Sequence, residues 1–106
     1  MAAGPAHFVQ MLSTADIQRL LASRVRELRL LAGWKQSTLA QRSGVTLASL
    51  RRFEQSGLIA LESLLKLAHA LGRLDDFQSL LQPPPARTIA ELTERSQIRL
   101  RKRGSR

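Results

Sequence analysis

The chain has 106 residues, no cysteine, 43 % apolar residues and a net charge of +9 from 17 basic and 8 acidic side chains. That length suits one small core and leaves little room for a second. The missing thiols exclude disulfides and thiolate chemistry, and the charge directs the chain toward polyanions such as nucleic acid or an anionic membrane surface. Leucine and alanine dominate the apolar set, tyrosine is absent and only three Phe and one Trp are present, so an all-α domain is expected.

His7 and His69 stand far apart with no ligand-like spacing around them, so neither a metal nor any other cofactor is expected. No apolar run approaches the ~20 residues of a membrane span, and "MAAGPAHFVQML" lacks the charged start and apolar core of a signal peptide. A soluble protein that stays where it is made, away from membranes, is the expectation.

Residues 1–12 contain Gly4 and Pro5 without periodicity and read as a loose leader, although Phe8, Val9, Met11 and Leu12 leave open an extension of the first helix or a partner contact. Structure is expected to start at "STAD", where Ser13 or Thr14 accepts orphan amide hydrogens and Asp16 favours the positive end of the helix dipole. Ile17, Leu21, Val25, Leu28 and Ala32 then recur at helical spacing, with Arg19, Arg26 and Arg29 placed around the outside, until Gly33 stops the helix.

A second helix is predicted from about Gln36 to Ser43 with Leu39 and Ala40 inward, and Gly44 suits the tight turn after it. Thr46 caps a third, which Gly57 ends with Leu58 supplying the accompanying apolar contact. The fourth, "LESLLKLAHALG", places Leu61, Leu64, Leu65, Ala68 and Leu71 on one stripe, and a shorter fifth near Asp75 to Leu81 offers Leu74, Phe77 and Leu81. Residues 13–82 therefore form the expected domain. Pro83 to Pro85 end it as an extended linker, followed by a basic tail to residue 106 in which "TIAELTER" suits a two-turn helix capped by Thr88 and Glu91. The last 20 residues hold seven basic and two acidic side chains, +5 of the total, and the tail from Arg99 to Arg106 is assigned to DNA phosphates, an acidic partner or a solubilising end without a choice among them.

On a wheel of ~100° per residue, Leu50 and Phe53 fall together while Ala48, Arg51, Arg52 and Gln55 gather opposite, and Glu54 lies near the edge. Only "GVT" separates the second and third helices, which is too short for antiparallel packing and suits a steep crossing of the helix-turn-helix kind. Trp34, apolar and just after a Gly turn, is read as core and not as a base-stacking residue.

The stretch "GWKQSTLAQRSGVTLASLRRFEQSG" resembles the phage repressor and Cro-like (XRE) helix-turn-helix family through Gln36, Leu39 with Ala40, Gly44 with Val45, and Phe53, Glu54 and Gly57 in fixed register. Together with "LESLLKLAHALG" the resemblance covers about residues 20–81 and implies a compact bundle of about five short helices. It implies base contacts from Leu47, Ala48, Arg51 and Arg52, phosphate contacts from Gln36, Lys35, Thr46 and Gln55, and a structural pair of Arg29 with Glu54. Lys35 and Ala60 depart from the pattern, since both stand where the family carries a helix cap.

A DNA-binding transcriptional regulator, a dimeric repressor of its own operon in the bacterial cytoplasm and on the nucleoid when bound, is what the resemblance implies. The domain with its Pro-containing linker and basic tail is also similar to HipB-like antitoxins, which implies a HipA-like kinase as toxin partner. A protein-interaction module with DNA binding secondary is the alternative. Enzyme activity is not expected, because the chain lacks Cys, paired carboxylates near a His, and a Gly-rich phosphate loop.

Overall fold

The structure, a computed structural model, describes residues 12–104. It contains six helices and, among the described residues, no strand: α1 (Thr14–Leu31), α2 (Gln36–Ser43), α3 (Leu47–Ser56), α4 (Leu61–Ala70), α5 (Asp75–Gln78) and α6 (Ile89–Gly104). Phe8, Val9 and Met11 of the proposed leader lie outside the described residues, and Leu12 is exposed.

The start of α1 is closed by a reciprocal cap: the Ser13 hydroxyl accepts from the Asp16 amide at 3.1 Å, and the Asp16 carboxylate accepts from the Ser13 amide at 3.0 Å. The Ser13 amide, then the Ser13 hydroxyl, hold Asp16 below its ordinary pKa of 3.8. A depressed carboxylate pKa contributes stability that is present above the ordinary value and lost as pH falls through the folded one, so this cap weakens as pH falls below 3.8. Thr46 caps α3 with the forward bond alone, its oxygen accepting from the Ser49 amide at 3.1 Å. Lys35 and Ala60, the two departures from the family pattern, cap α2 and α4 without any side-chain hydrogen bond.

Three packed helix pairs make the bundle: α1 on α3, α2 on α4 and α2 on α3. Leu39, Leu50, Phe53 and Leu67 are the largest fully buried side chains, surrounded by Ala22, Val25, Ala40, Val45 and Leu64. Four stripe expectations need correction. On α1 the buried residues are Ala22, Val25 and Arg29, whereas Ile17 and Ala32 are exposed. The strip of α1 that packs under α3 runs through Ala22, Val25 and Arg29, so Ile17 before it and Ala32 after it stay in solvent. Arg29, placed outside by periodicity, is inside. On α4 the buried set is Leu64, Leu67 and Ala68, while Leu61 is exposed at the helix entrance. After α3, Leu58 is exposed and Ile59 packs on the core in its place.

The fifth helix is shorter than expected: it ends at Gln78, Phe77 alone packs on the core, and Leu81 is 93 % exposed with φ +61°. Conversely, the tail helix is longer than two turns. It runs 16 residues from Ile89, because the Gln, Arg, Leu and Lys after Ser96 are good helix formers with no breaker before Gly104. Its Glu91 caps backward to the Arg87 amide at 2.9 Å, Thr88 accepts from the Glu91 amide at 3.1 Å, and Arg95 pairs with Glu91 at 2.9 Å.

Gly57 is where α3 meets α1 most closely. Its φ of +81° ends α3 in the left-handed conformation, and a Cβ there would lie 2.8 Å from the Gln18 carbonyl carbon and 2.9 Å from the Arg19 nitrogen. Gly44 has a similar φ, +79°, but open space around it. Gly44→Ala is therefore expected to cost about 1 kcal/mol, the left-handed penalty alone, and Gly57→Ala clearly more, because two backbones must separate. Urea unfolding of the two variants side by side checks the order; equal costs would show that the approach of α3 to Gln18 is not constrained.

Candidate nucleic-acid interface

The unit formed by α2, its turn and α3 is built from a few local devices. Gly44 closes α2 by donating its amide to Ala40 at 3.0 Å, and the buried Val45 plugs the turn into the core. Ser43 bridges the same corner, its hydroxyl donating to the Ala40 carbonyl at 3.2 Å and accepting from the Val45 amide at 3.2 Å. Ala40 is small and 8 % exposed, so the two helices approach closely where they cross.

With Leu50 and Phe53 anchored below, α3 presents Ala48, Ser49, Arg51, Arg52 and Gln55 to solvent. Among the described residues no ion pair or hydrogen bond engages the guanidinium groups of Arg51 and Arg52. The outer face of α3 thus carries two cations, no acid, and ten forked N–H donors in search of acceptors. Leu47 differs from its neighbours: it is half-buried against the core and shows only its rim.

A buried charged cluster sets how α3 stands. Arg29 of α1 donates from Nε to Glu54 Oε2 at 2.9 Å and from Nη2 to Glu54 Oε1 at 2.9 Å, and its Nη1 donates to the Trp34 carbonyl at 2.9 Å. The two side chains are 8 % and 4 % exposed. Gln36, the first residue of α2, donates from Nε2 to Glu54 Oε1 at 3.0 Å. One carboxylate thereby joins α1, the α1–α2 turn, α2 and α3, and no buried side-chain polar atom among the described residues is left without a partner.

The structure brings Lys35, Gln36, Thr46, Leu47, Ala48, Arg51, Arg52 and Gln55 to the α2–α3 unit, with Lys35 exposed at the uncapped start of α2. Two of them have work inside the fold. The Gln36 amide faces Glu54, and the Thr46 hydroxyl caps α3 while donating to Ser49 Oγ at 2.9 Å. Trp34 is half-buried on the core, with the Arg42 guanidinium 4.5 Å above its ring. Sequence reasoning missed the Trp34 carbonyl and the Arg42 cover. A backbone acceptor carries no residue signature, and Arg42 is eight positions away with no periodic relation to Trp34.

Two packed helices joined by a short turn, the second basic and outward, define a helix-turn-helix DNA-binding domain. The family model described as Helix-turn-helix matches residues 25–77, half of the chain, and the chain belongs to that family, of XRE type, whose members are DNA-binding transcriptional regulators. No curated protein and no solved structure matches the chain. The family is a DNA-binding one and not an enzymatic one. No described helix is long and apolar enough to cross a membrane.

Glu54→Ala is expected to cost about 3–5 kcal/mol, since Arg29 would remain buried without its counter-charge. Arg29→Leu combined with Glu54→Leu is expected to cost well under the sum of the single changes. A double-mutant cycle by urea unfolding checks this; additive losses would remove the coupling.

Proposed function

We propose that this protein is a sequence-specific repressor that binds DNA as a two-fold dimer, most simply at a palindromic operator beside its own gene. The observation that supports this reading is the exposed, acid-free outer face of α3, where Arg51 and Arg52 have no partner within the described chain. In a major groove these two would supply the bidentate hydrogen bonds that single out guanine, and Ala48 with the exposed rim of Leu47 would meet thymine methyls. Lys35, Gln55, Thr46 and Gln36 would line the flanking phosphates. The start of α2, without a side-chain cap, would add its free amides to that role. One such domain contacts too few base pairs for strong discrimination, and a dimer reading two half-sites about 34 Å apart supplies the rest. The dimer surface is assigned to α4 and α5 with help from residues 88–95, where Leu61, Leu74, Ile89 and Leu92 are exposed.

A second reading, an antitoxin that neutralises a HipA-like kinase or another acidic toxin, has its own observation. The stretch 86–106 lies beyond the matched family region, and α6 exposes Ile89 (83 %), Leu92 (54 %) and Leu100 (64 %) along one side. Both roles are compatible in one chain.

Titration by fluorescence anisotropy against the chain's own upstream DNA and a scrambled duplex tests the repressor reading. Arg51→Ala and Arg52→Ala are each expected to cost about 1–3 kcal/mol on the operator and to relax base preference, whereas Lys35→Ala weakens all DNAs alike and lowers the salt slope by about one. Small, equal losses on every duplex for Arg51→Ala and Arg52→Ala would remove the base-reading assignment.

A further inference from the structure

α6 belongs to none of the three packed helix pairs. The molecule is correspondingly extended: its radius of gyration is 18.8 Å, against about 13 Å for a compact domain of this length. Arg95 sets how the helix leaves the linker, donating from Nη1 to the Pro84 carbonyl at 2.6 Å and from Nη2 to Glu91 at 2.9 Å. Beyond Arg95 the chain has no acid. Residues 95–102 carry Arg95, Arg99, Arg101 and Lys102, and the carboxylates of this helix, Glu91 and Glu94, both precede them.

The cations are also ordered. At ~100° per residue, Arg95, Arg99 and Lys102 fall within about 60° of one another, whereas Arg101 points to the opposite side. Arg99, Arg101 and Lys102 are exposed. Seven residues of helix rise about 10 Å, which spans several phosphates of a duplex carrying one charge per ~1.7 Å of its axis. Both helices belong to one chain, so a duplex held by α3 would meet the α6 cations at an effective concentration set by the linker, which a separate acidic protein does not share.

We propose that α6 is a second DNA contact, whose Arg99–Lys102 edge grips the sugar-phosphate backbone of the same duplex outside the bases that α3 reads, while Arg95 stays engaged with Glu91 and the linker. The inference rests on the DNA-binding reading of α3. The contact is independent of base sequence: it adds affinity to every duplex and leaves the ratio between operator and scrambled DNA unchanged.

The test uses the full chain and binding isotherms over a range of salt concentrations. Arg99→Gln combined with Lys102→Gln is expected to make the slope of log K against log salt shallower by about 1.8, two phosphate contacts at ~0.9 each, on operator and scrambled DNA alike. Arg101→Gln, on the far side, is expected to leave the slope within about 0.3 of the parent, which separates a facing contact from loss of charge alone. Both changes lie on exposed positions outside the bundle, and unchanged thermal unfolding of the bundle serves as the folding control. An unchanged slope for the double variant overturns the inference and returns the α6 cations to a protein partner. An equal effect of Arg101→Gln overturns the assigned edge. Loss of operator preference in Arg51→Ala with these slopes intact would leave the α3 reading standing and this one fallen. The reverse pattern would separate them in the other direction.

Discussion

The buried Glu54 carboxylate is the point on which the α1–α2–α3 arrangement depends. Taking it and Arg29 out of water is expensive, and only a geometry that satisfies both repays the cost. Two parallel hydrogen bonds from Arg29, a third from Gln36 and the Trp34 carbonyl on the remaining arginine nitrogen supply that geometry. These partners come from α1, the following turn, α2 and α3, so a rotation of α3 by even part of a turn would break several charge-assisted bonds at once. An apolar core alone tolerates small slips; this cluster does not. The direction in which Arg51 and Arg52 point is a consequence of it.

Close backbone contact reinforces the same constraint. Gly57 lets the end of α3 touch the backbone of α1 at Gln18 and Arg19, and Ala40 lets α2 pass near α3. Where α3 crosses α1 then decides which side chains of α1 are buried. This is why the inward row is Ala22, Val25 and Arg29, although the strongest apolar periodicity in the sequence runs through Ile17, Leu21 and Val25. The bundle is small enough that each helix is covered over only part of its length, so helix ends emerge with their leucines exposed.

Function follows from the division of labour on α3. Its inner residues, Leu50 and Phe53, carry the packing, Glu54 fixes the rotation, and the side chains of Ala48, Arg51, Arg52 and Gln55 make no hydrogen bond or ion pair among the described residues. Gln36 and Thr46 stand at the boundary, since both serve the fold and also border the surface proposed for phosphate. A substitution at either position acts on stability and on binding together, whereas Arg51, Arg52 and Lys35 are exposed and separable.

Much of this was legible in the residues themselves. The caps at Ser13 and Thr46, the ends of α2 and α3 at Gly44 and Gly57, and the opposition of Leu50 and Phe53 to Arg51 and Arg52 all follow from local rules: hydrogen-bond acceptors before helices, glycines after them, and a period of 3.6. Those rules act within a few residues, so one chain segment contains all the information they need. Two features required the tertiary structure: the burial of Arg29 with its carbonyl partner at Trp34, and the absence of packing for Leu81 and Leu61. Each turns on what lies opposite a side chain in space or on whether a neighbour arrives at all. Periodicity shows that a helix has an apolar face; only the crossing of its neighbours decides which part of that face is covered.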